Sequence, residues 1–264
     1  MKIDLTGKTA IVTGSTDGIG LAIAIGLASA GASLVLVGRD QDRIDTALEK
    51  LKADSGRSDA MGVLADVGTA DGCRTLIAAQ PAADILVNNL GIYGARPFFE
   101  ISDEDWEEIL QVNVLGGVRL ARHYAQGMQS RGWGRIQFIS SESALNIPAE
   151  MVHYGVSKAA IQGVSRGLAK VLAGSGVTVN TILPGPTRTS GALAMMASMA
   201  EERGVSVSEM EALFMQENRP STLLKRFASP EEVANICVYA ASPQASATTG
   251  AALRVEGGIV ESIT

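Results

Sequence analysis

The chain has 264 residues, 46% hydrophobic and 19% charged, with a mean hydropathy of +0.19, which excludes a disordered chain. Its 29 glycines follow no tripeptide repeat, so it is no fibrous protein, and a chain of this length buries a core that needs no disulfide or metal. Twenty-two basic against 28 acidic residues leave a net charge of −6 and an isoelectric point near 5.1, a field that repels a phosphate backbone and argues against nucleic acid as a partner.

One domain spanning residues 1–264 is expected. The N-terminus, MKIDLTGKTAIVTG, runs straight into a strand without an apolar signal core. Cys73 and Cys237 stand alone in apolar surroundings without metal-ligand spacing. A reduced, cytoplasmic protein with no bound metal is therefore expected. Gly or a charge interrupts every apolar run well short of about 18 residues, so no membrane span is expected.

The predicted strands, in chain order, are Thr9 to Thr13, Ser33 to Val37, Gly62 to Ala65, Ile85 to Val87, Arg135 to Ser140, Thr178 to Leu183 and Leu253 to Val255. Most lack alternation, the mark of parallel strands covered on both faces. Between them lie helix-like stretches. Gly18 to Ala30 carries Ile19, Ala22, Ile23, Gly26 and Leu27 at helical spacing and closes on Gly31. Ser102 caps a second helix, with Asp105 three residues on, which is expected to run through Leu110 and Leu120 to about Met128. Strand and helix alternate throughout, so the predicted architecture is α/β: a doubly wound, mainly parallel sheet of about seven strands with helices on both faces, the Rossmann type that binds nucleotides at the carboxyl edge. From Thr187 to Arg226 no strand interrupts a Met-rich segment, which reads as a lid.

After the first strand comes Thr13-Gly14-Ser15-Thr16-Asp17-Gly18-Ile19-Gly20, a glycine turn opening into a helix. Gly14 permits the turn, Gly18 lets the backbone approach a pyrophosphate, and Gly20 lets the helix lie close to the sheet. The second strand ends at Val37-Gly38-Arg39, where a free ribose 2′-hydroxyl would be met by a carboxylate. Arg39 instead offers a planar cation suited to a 2′-phosphate, which favours NADP(H), with NAD(H) as the alternative. Two nearby acids, Asp17 and Asp40, weigh against that choice.

Tyr154 and Lys158 stand four apart at the start of a predicted helix and share one face. A nearby ammonium and a cationic nicotinamide both favour phenolate, so Tyr154 is expected to have a lowered pKa and to act as general acid–base. Ser141, at the end of the fifth predicted strand, has a hydroxyl placed to hydrogen-bond a carbonyl under reduction.

These residues resemble the short-chain dehydrogenase/reductase family over essentially the whole chain. The motifs fall in family order: the Gly14/Gly18/Gly20 turn, Asp66, Asn88-Asn89-Leu90-Gly91, Asn113, Ser141, Tyr154 with Lys158, and Pro184-Gly185. The resemblance implies that Tyr154 is the acid–base, that Ser141 orients substrate, that Lys158 binds ribose and tunes Tyr154, and that Asn113 holds a water in a proton relay. It implies that Asp66 contacts adenine, that Asn88 and Gly91 line the cofactor cleft, and that Thr189 meets the nicotinamide amide. Ser15, Asp17, Ile19, Arg39, Val67, Gly185 and Thr187 complete the expected cofactor contacts. Leu90 departs from the family's usual Ala, and only a local adjustment is expected. A homotetramer or homodimer is implied, through the helices from Ser102 and from Glu150.

Other features have plainer readings. Gly163-Val164-Ser165-Arg166-Gly167 fits the esterase pattern G-x-S-x-G but falls mid-helix, where no nucleophile elbow forms. His123 reads as structural, His153 as a rim or packing residue, and Phe98, Phe99 and Trp106 as packing in preference to a substrate platform. Met195, Met196, Met199, Met210 and Met215 suit either a compliant substrate surface or packing of the lid. Glu142 and Ser143 lie near enough to Ser141 to touch substrate, although Glu142 reads equally as a solvated loop acid. The expected function is hydride transfer between NADP(H) and a carbonyl/secondary-alcohol pair of small molecules. The alternatives are an inactive nucleotide sensor, or dehydratase or epimerase chemistry on the same fold.

Overall fold

The computed structural model describes residues 2–263. Among them seven strands form one sheet: β1 (Thr9–Thr13), β2 (Ser33–Gly38), β3 (Met61–Leu64), β4 (Ile85–Asn88), β5 (Gly134–Ile139), β6 (Val177–Pro184) and β7 (Ala252–Val255). Their order is β3-β2-β1-β4-β5-β6-β7, and every pairing is parallel. The missing alternation has its explanation in β1. Ala10 and Val12 face one apolar layer with α1 (Gly18–Ser29), α2 (Gln41–Ser55) and α9 (Pro230–Ala241). Ile11 faces the other, with α3 (Ala70–Ala79), α5 (Gly116–Ser130) and α6 (Val152–Val171). With helices over both faces, successive residues of β1 are apolar.

The strand order reverses beside β1, which has β2 on one side and β4 on the other. Chains leaving β1 and β4 diverge to opposite faces there and open a crevice at the carboxyl edge.

The expected helix from Ser102 to about Met128 is interrupted. It comprises α4 (Asp103–Leu110), a π-helical segment Gln111–Leu115 and α5, with the Gly116 N–H reaching back to the Gln111 carbonyl. An inserted residue shifts the register of side chains without ending the rod. Hydrophobic spacing alone carries no sign of the insertion.

The expected lid contains α7 (Ser190–Arg203) and α8 (Val207–Asn218). A bridge between Thr187 and Ala228 closes its base. Met196, Met210 and Met215 are buried with Ala200 and Phe227 in a small core of the segment's own, whereas Met195 is exposed. Packing of the lid therefore accounts for most of its methionines.

The helix α9 lies against α1 and carries the sheet's cover on that face. Its start is fixed by a capping box: the Ser229 hydroxyl accepts from the Glu232 N–H at 3.3 Å, and the Glu232 carboxylate accepts from the Ser229 N–H at 2.8 Å. Replacing Ser229 by Ala removes one of these partners and should cost about 1 kcal/mol, read as a lower urea midpoint. An unchanged midpoint would show that the cap contributes nothing.

Candidate active site

The side chains expected to be catalytic converge because α6 is strapped to the end of β5. The Lys158 ammonium donates to the Ile139 carbonyl at 2.9 Å, and the Ser140 hydroxyl donates to the Lys158 carbonyl at 2.8 Å. Gly155 makes the approach possible, since a Cβ there would stand 2.8 Å from the Ser143 carbonyl. One helical turn separates Lys158 from Tyr154, and the amine lies 5.6 Å from the centre of the Tyr154 ring. Ser141 opens the turn after β5, where its hydroxyl accepts from the Ser143 N–H at 3.1 Å and hydrogen-bonds the Tyr154 phenol. Tyr93 meets the Tyr154 ring edge-on at 6.2 Å.

The Asn113 side chain is a strut. Within the π-helical segment, its amide donates to the Ile92 carbonyl and to the Ser157 hydroxyl, both at 2.9 Å, and its oxygen accepts from the Ile92 N–H at 2.7 Å. Ser157 in turn donates to the Tyr154 carbonyl at 2.7 Å. Both amide donors are thus spent on holding the β4 loop to α6. Ser157 was not singled out from the sequence, where it is one more polar residue within a helix.

The ionisation of the pair differs from expectation. Burial pushes the Tyr154 phenol up to about 12; the Ser141 hydrogen bond and the Arg219 charge pull against this, and Glu142 and Tyr93 reinforce it. Burial also pulls Lys158 down to about 8. The chain's own groups therefore do not lower the phenol, because in this enclosed position desolvation outweighs the favourable partners.

The glycine turn is built as a cradle. Gly14 and Gly18 have φ of +61° and +54°, and a Cβ on Gly20 would run into the Gly14 carbonyl. Asn89 ties the turn to β4 by donating to the Thr13 and Gly14 carbonyls at 2.9 and 3.0 Å. Gly91 leaves space beside Lys158 and Asn113: a Cβ there would stand 3.2 Å from the Lys158 amine and 3.3 Å from the Asn113 oxygen. The Asn88 oxygen is buried without a partner. Leu90 packs its side chain into the core beside α5, so its bulk is absorbed below the crevice.

The two acids that weighed against a 2′-phosphate are both occupied. Asp17 caps α1, accepting from the Gly18 N–H at 2.6 Å, and its other oxygen meets the Ser190 hydroxyl and Arg43. Asp40 caps α2 through the Arg43 N–H at 3.0 Å. Arg39 stays exposed at the end of β2, 4.0 Å from Asp66. Several other expected contacts have side chains committed to the scaffold. The Ser15 hydroxyl accepts from the Val37 N–H, Thr187 donates to the Gly185 carbonyl, Thr189 caps α7, and Val67 lies in the core. Gly185, after Pro184, sits against the Glu256 backbone. What these positions can offer a nucleotide is chiefly backbone.

Glu142 is no solvated acid. It is 4% exposed, and the Arg219 guanidinium at the end of α8 donates to it at 3.2 Å. Arg219 also lies 3.9 Å from Glu150 and stacks near Phe214. The segment carrying α7 and α8 thus docks on the residue after Ser141 through an ion pair spanning 77 positions of sequence.

The remaining expectations sort simply. Ser165 lies buried inside α6, away from any strand-to-helix elbow. His153 is buried with its ring edge-on to Trp106, and His123 stacks on Tyr124. Phe98 and Phe99 differ from the packing role expected of them: they pair with each other on an exposed turn, Phe99 at 97% exposure. Cys73 and Cys237 are buried, with thiols pushed up by desolvation. Among the described residues no cluster of three or more potential metal ligands occurs, and no helix is long and apolar enough to cross a membrane.

A family model described as enoyl-(acyl carrier protein) reductase matches residues 14–260. Oxidoreductase YvaG of Bacillus subtilis is 43% identical over 263 residues, covering all of both chains. The 3-oxoacyl-[acyl-carrier-protein] reductase FabG of Aquifex aeolicus is 35% identical, covering 98% of this chain and 100% of its own. Among solved structures, L-sorbose reductase from Gluconobacter frateurii, complexed with NADPH and L-sorbose, superposes with a TM-score of 0.93 at 35% identity over the whole of both chains.

The ion pair that docks the lid generates a direct expectation. Arg219→Ala strands Glu142 as a buried, uncompensated carboxylate and should cost about 3 kcal/mol. The urea midpoint should fall and proteolysis within 187–226 should quicken; wild-type behaviour in both would show that the pair does not hold the lid.

Proposed function

The chain belongs to the short-chain dehydrogenase/reductase family, and from that premise we propose that it interconverts a carbonyl and a secondary alcohol with NADP(H). The observation that carries this reading is the convergence of Ser141, Tyr154 and Lys158 beside the Gly91 gap at the carboxyl edge of the sheet.

The residues present fit a dinucleotide. Glycines 14, 18 and 20 form a cradle that side chains would fill, the N-terminus of α1 faces it, and the free Asn88 oxygen and the Lys158 amine border the crevice. The exposed Arg39, with Asp17 and Asp40 both spent as helix caps, supports NADP(H) over NAD(H). A structural relative crystallised with NADPH supports the same choice. When bound, the nicotinamide supplies or accepts the hydride and, oxidised, a positive charge beside the phenol.

In reduction Tyr154 donates its proton to the developing alkoxide, while Ser141 hydrogen-bonds that oxygen. Lys158, charged below about pH 8, holds the ribose and favours the phenolate left behind. Asn113 fixes the spacing of these groups through Ile92 and Ser157. Assembly as a homotetramer or homodimer through α4, α5 and α6 is part of the proposal, supported by the exposed apolar side chains of Val156 and Val171 on α6 and of Leu115 in the π-helical segment between α4 and α5.

Tyr154→Phe should lower kcat for ketone reduction about a thousand-fold while NADPH still binds, as read by its fluorescence. The wild type should prefer NADPH to NADH, and Arg39→Ala should shrink that preference. Near-normal turnover in the Phe variant, or a preference for NADH that Arg39→Ala leaves untouched, would contradict the corresponding assignment.

A further inference from the structure

Tyr93 joins two parts of the site that are far apart in sequence. Its ring meets the Tyr154 ring edge-on at 6.2 Å, with 67° between the planes, and its hydroxyl reaches the first turn of α7. There a Cβ on Gly191 would stand 2.9 Å from that hydroxyl. Glycine weakens a helix, and at this position it is what lets the Tyr93 phenol lie against α7. Tyr93 therefore bridges from the ring of Tyr154 to the segment carrying α7 and α8. It is nevertheless 58% exposed, so most of a large apolar surface in contact with Tyr154 faces open space.

Other exposed apolar side chains flank the same phenol. Ile147 lies against Gly155, the residue after Tyr154, where a Cβ would stand 2.6 Å from the Ile147 Cγ2. Leu145 follows the turn that Ser141 opens, and Met195 stands one helical turn beyond Gly191. All three are exposed. Glu142 and Arg219, whose charges reach Tyr154, are spent on each other. Large apolar side chains left in water as a group mark a binding surface, and these come from three separate segments that meet around one phenol. A hydroxylated chain gains nothing from them. An aromatic ring gains both burial of its area and an edge or face contact with Tyr93.

Resting on the oxidoreductase reading above, we propose that Tyr93 is a specificity-determining residue: with the carbonyl at Tyr154 and Ser141, an aryl substituent of the substrate packs on the exposed Tyr93 ring, so that the substrates are apolar aryl-substituted ketones and the corresponding secondary alcohols. Ile147 and Met195 supply further apolar wall, and Met195 adapts to the shape of the substituent.

The test compares benzylacetone, which is butanone carrying a phenyl ring on its terminal carbon, with butanone itself and with the polyhydroxylated ketone erythrulose, by NADPH oxidation in the wild type, Tyr93→Phe and Tyr93→Ala. The wild type should show a higher kcat/KM for benzylacetone than for butanone or erythrulose. The benzylacetone-to-butanone ratio should fall about ten-fold in Tyr93→Ala and be largely retained in Tyr93→Phe, which keeps the ring. Because both ketones are read on one preparation, loss of folded protein cancels in the ratio, as does any change in the acidity of Tyr154. A wild type that prefers butanone or erythrulose, a ratio that Tyr93→Ala leaves unchanged, or one that falls as far in Tyr93→Phe as in Tyr93→Ala, would overturn the inference and leave the oxidoreductase reading intact. No turnover of any ketone with NADPH or NADH, and none of the matching alcohols in reverse, would overturn the reading itself.

Discussion

The active site depends on a conflict between burial and charge. Fixing α6 against β5 places a lysine amine on the Ile139 carbonyl and leaves the phenol one turn away in a poorly solvated position. Desolvation favours the neutral form of each group, which raises the phenol to about 12 and lowers the amine to about 8. Proton exchange at neutral pH therefore requires a further charge. In the proposed reaction an oxidised nicotinamide would supply that charge, and proton transfer would then be coupled to cofactor occupancy.

The same economy governs the acids around the nucleotide cradle. Asp17 and Asp40 are both N-caps, each accepting from one backbone N–H of its helix, and Asp17 is also paired with Arg43. Arg39 is left as the prominent charged group at the end of β2 apart from Asp66. Sequence position alone placed these acids near the phosphate site, and only their hydrogen bonds reveal how they are used.

How much of this was legible beforehand follows from the range of the interactions. The seven strands and the strand-free, methionine-rich stretch from Thr187 to Arg226 could be read because periodicity and glycine placement are local signals. Tyr154 and Lys158 could be read because four residues make one helical turn. The π-helical insertion at Gln111–Leu115 was not legible, since one extra residue leaves the apolar spacing of a long helix almost unchanged. Nor was the pairing of Glu142 with Arg219, which joins positions 77 residues apart, so that Glu142 looked equally like a solvated loop acid. The sign of the Tyr154 shift was missed for a related reason: a sequence reveals the ammonium four residues on, but not the depth at which both groups are enclosed.

The most direct test of this account is the ionisation of the Tyr154 phenol itself, followed by carbon NMR of labelled tyrosine, with Tyr154→Phe identifying the resonance. In the free protein it should titrate near about 12, and saturating NADP⁺ should move it downward. A phenol that already titrates at or below the ordinary tyrosine value of about 10 without cofactor, or one that NADP⁺ leaves unmoved, would contradict the claim that burial holds the proton until the nucleotide binds.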